Sequence, residues 1–232
     1  MQTIVVGSGK GGTGKTTTSS LIATHLTKYY NVGLLDADLS CPNIDSMFGI
    51  EGHRYKFTKS GKLEPVRFEG IGEGRFLEVF SIGADIPQQQ YVAWSGKQLK
   101  QMLKEQFLAV DWQDIDILVI DLPPSTSDSV QTVLEICGNA TVMPVTMNTP
   151  LAVSDTRKFL QLVRSKNMIV SGMLLNLSDI YQIYSLKEII KEVGINILAE
   201  IPFNEIYCKP EGGLEMLKHY DTDLADKIRR AL

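Results

Sequence analysis

The residues whose types and spacing most clearly suggest chemistry are the nine from Gly9 to Thr17, which read Gly-Lys-Gly-Gly-Thr-Gly-Lys-Thr-Thr. The first eight fit G-x-x-x-x-G-K-[ST], a loop whose backbone N–H groups cradle phosphates when a strand precedes it and a helix follows. Lys15 would supply a full charge to the β and γ phosphates, and the Thr16 hydroxyl can ligate Mg²⁺. We therefore predict an ATP/ADP and Mg²⁺ site whose phosphate loop consists of Gly9, Lys10, Gly11, Gly12, Thr13, Gly14, Lys15, Thr16 and Thr17.

Three aspartates at strand ends are the next candidates. Asp36 and Asp38 close the run Leu34–Asp38, and Asp121 closes the run Ile117–Asp121. Ligands of open α/β sheets bind beyond the carboxyl ends of the strands, so these carboxylates are expected near the phosphate loop. A carboxylate there can hold Mg²⁺ through water or orient the attacking water. Asp121 is the candidate Walker B aspartate, whereas the Asp-x-Asp spacing leaves the roles of Asp36 and Asp38 open. Capping of the following turn is the alternative for Asp36 and Asp121.

The segment after Asp121 continues Leu-Pro-Pro-Ser-Thr-Ser-Asp to Asp128. Two prolines stiffen the exit from the strand, and Ser125–Asp128 offers a helix start. Such a segment can sense the γ-phosphate and move on hydrolysis. The alternative is an ordinary strand-to-helix turn.

Short apolar runs that alternate with helix-period segments must position these residues. Alternation of this kind predicts an α/β fold with a doubly wound, mostly parallel sheet flanked by helices. The predicted strands are Thr3–Gly7, Val32–Asp36, Leu77–Ile82, Ile115–Asp121, Ala140–Val145, Ile169–Asn176 and Ile197–Ile201.

Helices are predicted from Thr16 to Tyr30, along the apolar stripe from Leu99 to Phe107, and after a Ser185/Glu188 capping box. Residues 50–75 are rich in Gly, Lys and Glu and break the alternation. We interpret them as an excursion from the sheet that could contain a short hairpin, within a single domain spanning 1–232.

The composition is that of an ordinary globular protein, with 44% hydrophobic and 22% charged residues in 232. A net charge of -4 argues against nonspecific nucleic-acid binding. The N-terminus does not resemble a signal peptide, and no apolar run reaches the ~20 residues that span a bilayer. The three cysteines form no disulfide framework. We expect a cytoplasmic protein with reduced thiols.

Taken together, these motifs resemble the Mrp family of MinD/ParA-type P-loop ATPases, a class that carries a deviant Walker A loop and includes the nitrogenase iron protein. The resemblance covers nearly the whole chain. It rests on the loop at 9–17, Asp36-Ala37-Asp38 with Pro42-Asn43, Trp94-Ser95-Gly96, Val110-Asp111-Trp112, Ile120–Pro124 and Ala199–Pro202.

The resemblance implies roles that spacing alone does not. Lys10 would reach across a homodimer to the partner's nucleotide, so that Lys10, Lys15 and Asp38 form the catalytic set. Asp38 would activate water, while Asp36 supports the metal and the loop. Asn176 would read the adenine, and backbone after Pro202 would complete that pocket.

One departure concerns the metal cargo. Many Mrp proteins carry a Cys-x-x-Cys after the asparagine, which holds a bridging iron–sulfur cluster. Residues 177–183 contain no cysteine, so no cluster is expected by that mode. We interpret Cys137 as a buried core thiol, and Cys41 and Cys208 as small residues near the loops. A residual alternative is that Cys41 and Cys208 approach each other at the nucleotide face.

Three functions remain open from the sequence. The favoured one is a dimeric Mg²⁺-dependent ATPase that helps to assemble or insert an iron–sulfur or nickel centre in a client protein. The second is a MinD/ParA-type spatial regulator that binds a membrane or DNA in an ATP-dependent way. The C-terminal stripe of Leu224, Ile228 and Leu232 has basic neighbours, but nearby aspartates favour a packed terminal helix instead. The third, a subunit of a redox complex, would need cluster ligands that the sequence does not supply in the family pattern.

Overall fold

The computed structural model describes residues 1–85 and 96–232. Trp94 and Ser95 of the Trp-Ser-Gly motif lie outside these described residues. The strands are β1 Gln2–Gly7, β2 Val32–Asp36, β3 Val66–Glu69, β4 Phe76–Phe80, β5 Ile117–Asp121, β6 Thr141–Met147, β7 Ile169–Val170, β8 Met173–Asn176 and β9 Ile197–Ile201. The helices are α1 Lys15–Leu26, α2 Ile44–Met47, α3 Gly96–Ala109, α4 Asp128–Ile136, α5 Pro150–Ser165, α6 Leu186–Val193, α7 Gly212–Lys218 and α8 Thr222–Arg230, with 3-10 turns at Ile82–Asp85 and Glu205–Cys208.

The strands of the described residues form one sheet in the order β3-β4-β2-β5-β1-β6-β8-β9, with β7 also pairing with β6. Apart from the antiparallel pair β3–β4, these pairings are parallel. Alternate residues of β1 enter opposite cores. Ile4 and Val6 join residues of α1, α7 and α8, whereas Val5 joins residues of α3, α4 and α5. The predicted doubly wound α/β fold is therefore confirmed.

Two predicted elements were wrong in extent. The predicted strand Ile169–Asn176 is divided into β7 and β8, because Gly172 between them adopts φ 153°, a conformation that side chains disfavour. The helix predicted from Thr16 to Tyr30 ends at Leu26, where the Thr27 hydroxyl donates to the carbonyl of Thr24. Ends of the other predicted strands shift by at most two residues, as boundaries commonly do.

The segment 50–75 does not lie wholly outside the sheet. Val66–Glu69 form β3, which pairs antiparallel with β4 at the sheet edge. Arg67 holds this pairing, because its Nη2 lies 2.5 Å from Oε1 of the buried Glu78 side chain. Before β3, Phe57 and Leu63 form an antiparallel bridge. The expected excursion thus applies to residues before β3, and β3 itself was missed because its short, charged sequence has no buried-strand pattern.

Both predictions made for the later helices are confirmed. Ser185 and Glu188 form the capping box at the start of α6. In α8, Leu224 and Ile228 are buried, and the Asp221 side chain accepts hydrogen bonds from two backbone N–H groups of the first turn. No helix among the described residues combines the length and the apolar character needed to cross a membrane.

A buried histidine joins α1 to α8 and makes stability depend on pH. His25 is fully buried, and its Nε2 accepts a hydrogen bond from the Asp221 N–H at 2.9 Å. Burial lowers the pKa of His25 from 6.5 to about 4, so the unfolded chain binds a proton more readily than the folded one. We expect the unfolding free energy to be highest above about pH 6.5 and to be about 2 kcal/mol lower at pH 5.

Urea denaturation across this pH range tests the prediction. His25→Gln should flatten the pH dependence, whereas the matched control His219→Gln, on an exposed side chain, should leave it unchanged. Equal slopes in wild type and His25→Gln would contradict the assignment.

Candidate functional site

The loop between β1 and α1 takes the conformation that a phosphate loop needs. Gly12 and Gly14 adopt φ 77° and 81°, which only glycine adopts without strain. A Cβ on Gly14 would also lie 2.1 Å from Nδ2 of Asn176. That Nδ2 donates to the Thr13 carbonyl at 2.9 Å, so the end of β8 is fastened to the loop. The loop and Asn176 therefore form one constrained unit.

Lys15 lies at the N-terminus of α1, where the helix dipole adds partial positive charge. Its side chain is buried, and its charge lowers the pKa values of Asp38 and Asp121 against the stronger raising effect of burial. The Thr13 hydroxyl is buried and has no hydrogen-bond partner in the described part of the chain. A cation, an unpaired hydroxyl and a helix N-terminus together fit an anionic ligand.

Asp121 lies directly beside the start of α1. Its Oδ2 accepts from the Thr16 hydroxyl at 2.6 Å, and its Oδ1 accepts from the Ser19 hydroxyl at 2.7 Å. Burial raises the pKa of Asp121, which means that its charge is poorly compensated. Adjacent carboxylate and hydroxyl oxygens are the hard donors that Mg²⁺ takes, so Asp121 and Thr16 fit this cation.

Asp36 pairs in register with Asp121 across β2 and β5, so both carboxylates lie at the carboxyl edge of the sheet. Oδ1 of Asp36 accepts from the Asp38 N–H at 3.0 Å. Its Oδ2 accepts from the N–H groups of Asn43 and Ile44 and from the Ser81 hydroxyl. Burial and the nearby Asp121 raise the pKa of Asp36. These bonds hold the loop from 38 to 44, including the start of α2. They match the alternative role of Asp36 that the sequence left open, which is to cap the following turn.

Asp38 is only partly buried. Its Oδ1 accepts from the N–H groups of Ser40 at 3.3 Å and Cys41 at 3.2 Å. Burial raises the pKa of Asp38 above the usual aspartate value. A raised pKa makes a carboxylate a stronger base, which suits a group that orients or accepts a proton from water.

Two adjoining cavities open around the loop. The first, of about 580 Å³, is large enough for a nucleotide, whereas the second measures about 140 Å³. The first is lined by Gly11, Gly12, Gly14, Lys15, Thr16, Thr17, Asp38, Cys41, Asn43, Ser46, Met47, Pro124, Tyr207, Cys208, Lys209 and Pro210. The second is lined by Gly12, Gly14, Thr17, Asn176, Leu177, Pro202, Phe203, Asn204, Tyr207 and Cys208.

Most sequence-predicted site residues are thus brought together, in two groups. Lys15, Thr16, Thr17 and Asp38 face the larger cavity, and Asn176 and Pro202 face the smaller one. Gly9 packs against Asp155, where a Cβ would lie 1.9 Å from the backbone oxygen. Lys10 is partly buried, and its ammonium has no ion-pair or hydrogen-bond partner among residues 1–85 and 96–232.

Sequence reasoning missed three side chains that hold the aspartates. Ser19 bonds to Asp121 and Ser81 to Asp36, while Nε2 of Gln106 donates to the Asp36 carbonyl at 2.8 Å. A signal existed for Ser19, which lies one helical turn after Lys15 and three residues after Thr16. Ser81 directly follows β4, so the strand-end argument applied to the aspartates could have found it.

The cysteines divide between the core and the surface. Cys137 packs against the core, as expected for a core thiol, but it is half-buried and not fully buried as predicted, and burial raises its pKa to about 12. Cys41 and Cys208 are exposed and line the same cavity as the phosphate loop. The interpretation of Cys41 and Cys208 as small filler residues does not explain why both of them line this cavity.

Comparisons with known proteins identify the family of the chain. The ParA-class family model described as NUBPL iron-transfer P-loop NTPase matches residues 1–231. An iron-sulfur cluster carrier protein of Aquifex aeolicus is 32% identical over 96% of this chain and 64% of its own length. One from Pyrococcus furiosus is 29% identical over 87% of this chain and 74% of its own length. The chain spans less than two thirds of the Aquifex aeolicus relative.

Solved structures of other proteins have the same fold as this chain. A nucleotide-binding protein from Archaeoglobus fulgidus in complex with ADP superposes with a TM-score of 0.73 at 27% identity, covering 96% of this chain and 90% of its own. The cell division ATPase MinD of Pyrococcus furiosus gives 0.69 at 18% identity, covering 100% and 99%, and shows the shared fold alone. The family match over residues 1–231 and the relative that is 32% identical over 96% of this chain establish that the protein belongs to the NUBPL iron-transfer family of P-loop NTPases.

Proposed function

We propose that the chain is a Mg²⁺-dependent ATPase that acts as a nucleotide-switched dimer in the assembly or insertion of a metal centre. The observation that carries the ATPase part is the grouping of Lys15, Thr16 and Asp38 on one 580 Å³ cavity, with Asp121 bonded to Thr16 beneath it. The metal-centre part is supported by family membership and by relatives named iron-sulfur cluster carrier proteins. Nickel is an alternative cargo.

In this proposal the larger cavity takes the phosphates and the smaller one takes the adenine. Lys15 neutralises the β and γ phosphates from a buried position, where a charge interacts more strongly than in water. Asn176 and Pro202 line the adenine cavity, and the bond from Asn176 to Thr13 links that cavity to the loop. Mg²⁺ would be held by the Thr16 hydroxyl, with Asp121 and Asp36 acting through water, and would supply charge neutralisation at the phosphates.

Asp38 is the group proposed to orient the attacking water. It lines the phosphate cavity, and burial raises its pKa. Asp36 fixes the loop that carries Asp38, since one carboxylate binds the N–H groups of Asp38, Asn43 and Ile44. The geometry of the attacking water therefore depends on both aspartates, one by contact and one by positioning.

The dimer proposal rests on Lys10. Its ammonium is unpaired in the described ranges, although its backbone is held by the Ser8 hydroxyl, which donates to the Lys10 carbonyl at 2.7 Å. A cation delivered by a partner chain can stabilise charge on the transferring phosphoryl group, as an arginine finger does. ATP should therefore promote a face-to-face homodimer, and ADP should favour the monomer or a looser dimer.

Light scattering tests this prediction on Asp38→Asn, which is expected to keep ATP unhydrolysed. The mass should double with ATP, and adding Lys10→Ala should weaken the dimer by about tenfold, the typical size of one charge-assisted contact. A strict monomer with ATP at high micromolar concentration would contradict the proposal.

The biological role is tested by capture of partners from the native cell extract with the Asp38→Asn protein and ATP. A metalloenzyme or one of its maturation proteins is the expected partner, with the same bait and ADP as the control. Recovery of a division or partition protein instead would favour a spatial regulator and overturn the metal-centre role.

A further inference from the structure

A tyrosine in the segment before β3 is connected to the aspartate that holds the loop of Asp38. The Tyr55 hydroxyl donates to the Ser81 carbonyl at 2.9 Å and accepts from the Ser81 N–H at 3.1 Å. The Ser81 hydroxyl in turn donates to Oδ2 of Asp36 at 3.0 Å. We propose that Tyr55 is a positioning residue for ATP hydrolysis, because this chain of hydrogen bonds controls where Asp38 lies. The inference deepens the proposed function and rests on it, since it takes Asp38 as the group that orients the attacking water.

The Ser81 hydroxyl supports the Asp36 carboxylate from outside the loop. The backbone of Asp36 is fixed by the pairing of β2 with β5 and by Gln106, but its side chain can adopt more than one rotamer. Its other hydrogen-bond donors are N–H groups of the loop from 38 to 44, which the carboxylate itself must hold. Within the described part of the chain, Ser81 is therefore the one donor to this carboxylate that does not belong to that loop. The orientation of the Ser81 hydroxyl then sets the carboxylate, and the carboxylate sets the loop.

Ser81 depends on Tyr55 because it lies just beyond the paired strands. The pairing of β2 with β4 ends at Leu35 and Phe80, so the backbone of Ser81 extends past that ladder. Ser81 is fully buried, and buried backbone groups need hydrogen-bond partners. The Tyr55 hydroxyl binds both its N–H and its carbonyl, and the carbonyl also accepts from the Ala84 N–H at 3.2 Å. Tyr55 thus fixes the peptide groups that flank the Ser81 side chain.

Packing fixes the position of the Tyr55 ring. The ring stacks on Phe80 with the centroids 4.4 Å apart and an angle of 29° between the planes, and the His53 ring contacts it edge-on at 5.1 Å. One residue later, the Lys56 carbonyl accepts from the Glu64 N–H at 2.9 Å, which holds the chain on both sides of the bridge that follows. The segment that the sequence predicted only as an excursion from the sheet therefore places Tyr55 against the carboxyl end of β4.

A positioning role and a purely structural role predict different kinetics. If the hydroxyl of Tyr55 positions Asp38, its removal lowers the rate of hydrolysis only while the Asp38 carboxylate is present. If the hydroxyl only stabilises the fold, its removal lowers the rate by the same factor with or without that carboxylate. Effects of residues that act as one unit are strongly non-additive, so a double-variant cycle distinguishes the two roles.

The test uses the full chain and measures single-turnover ATP hydrolysis together with ADP affinity by calorimetry. Tyr55→Phe removes the hydroxyl and keeps the ring that stacks on Phe80. We expect hydrolysis to be about 10- to 100-fold slower, since a displacement of about 1 Å at a reacting group has costs of this size. ADP affinity should stay within about twofold, because the interaction acts in the transition state. The matched control is Tyr30→Phe, on a partly buried tyrosine that packs against the core, which should hydrolyse ATP at the wild-type rate.

The deciding variant is Asp38→Asn/Tyr55→Phe. Its rate of hydrolysis should equal that of Asp38→Asn within about twofold, the usual error of additivity between sites. The proposal is overturned if this double variant is slower than Asp38→Asn by more than that margin, or if Tyr55→Phe hydrolyses ATP at the wild-type rate. Wild-type turnover in Asp38→Asn would instead remove the proposed role of Asp38, and this inference with it.

Ser81→Ala gives an independent route to the same result. It removes the hydroxyl that donates to Asp36 and keeps the backbone groups at position 81 that Tyr55 binds. Hydrolysis should slow by a similar factor, again with no further loss in the Asp38→Asn background. Thermal unfolding shows whether each variant is folded at the assay temperature, and this second cycle decides the proposal if Tyr55→Phe is not.

Discussion

Lys15→Ala is expected to abolish measurable nucleotide binding, with affinity for ATP and ADP reduced at least 100-fold, or about 2.7 kcal/mol. Lys15 is a buried cation that lines the 580 Å³ cavity, which is proposed to take the phosphates. The β and γ phosphates bring several negative charges next to Asp38 and Asp121, whose pKa values are raised by burial. Without the ammonium, these anions would meet in a poorly solvated site, where their repulsion is strong. Titration calorimetry with Mg²⁺ measures the loss.

The matched control is Lys10→Ala, in the same loop. Lys10 is proposed to act on the partner's nucleotide and not on that of its own chain, so this variant should keep monomer affinity for ADP within about threefold, since an unpaired charge contributes little to a ligand that it does not contact. Thermal unfolding should confirm that both variants fold. An unchanged ATP affinity in Lys15→Ala would remove the phosphate-loop assignment altogether.

The second large effect is expected for Asp38→Asn, which should bind ATP with near-normal affinity but turn it over about 10²–10⁴-fold more slowly, the contribution typical of general acid–base catalysis. A water-orienting carboxylate acts in the transition state, so its loss lowers kcat more than affinity. Asparagine keeps the acceptor oxygen for the N–H groups of Ser40 and Cys41, so the loop should hold its shape. Single-turnover hydrolysis and calorimetry separate the two effects.

Asp128→Asn is the comparison variant, because Asp128 is an exposed carboxylate at the start of α4 on the segment after Asp121. It should hydrolyse ATP at nearly the wild-type rate. Normal turnover in Asp38→Asn would move the water-orienting role to Asp36 or Asp128. The wild-type rate of ATP hydrolysis should also fall as the pH decreases. The midpoint of this fall should lie above 3.8, the ordinary aspartate pKa, because burial raises the pKa of Asp38.

The phosphate loop and the three aspartates could be predicted from sequence because their chemistry is local. A glycine loop between a strand and a helix requires particular residues at fixed spacing, and parallel strands bring their carboxyl ends to one edge. Asp36 and Asp121 fall at that edge as expected. The difference between the roles of Asp36 and Asp121 does not follow from the local sequence. Asp36 is occupied by N–H groups of the next loop and Asp121 by hydroxyls of α1, and no spacing rule distinguishes these surroundings.

The features that the sequence did not predict depend on contacts between distant parts of the chain. Ser19 and Ser81 carry no motif, because serine is common on helices and after strands. Gly172 lies within an apolar run, so periodicity joins β7 and β8 into one strand. Cys41 and Cys208 line one cavity although they are 167 residues apart in the sequence, and no pattern along the sequence contains that relation. Asn176 was found only through family resemblance.

The contact between Gly14 and Asn176 has an evolutionary consequence. A residue with a Cβ at position 14 would collide with Nδ2 of Asn176, and withdrawal of that side chain would break its bond to the Thr13 carbonyl. A side chain at position 14 is therefore tolerated only when position 176 changes as well, so variation at the first position depends on the second. One residue shapes the loop between β1 and α1, and the other lines the smaller cavity that is proposed to take the adenine. If that proposal holds, drift toward a new base preference in this lineage would be coupled to the proposed phosphate loop.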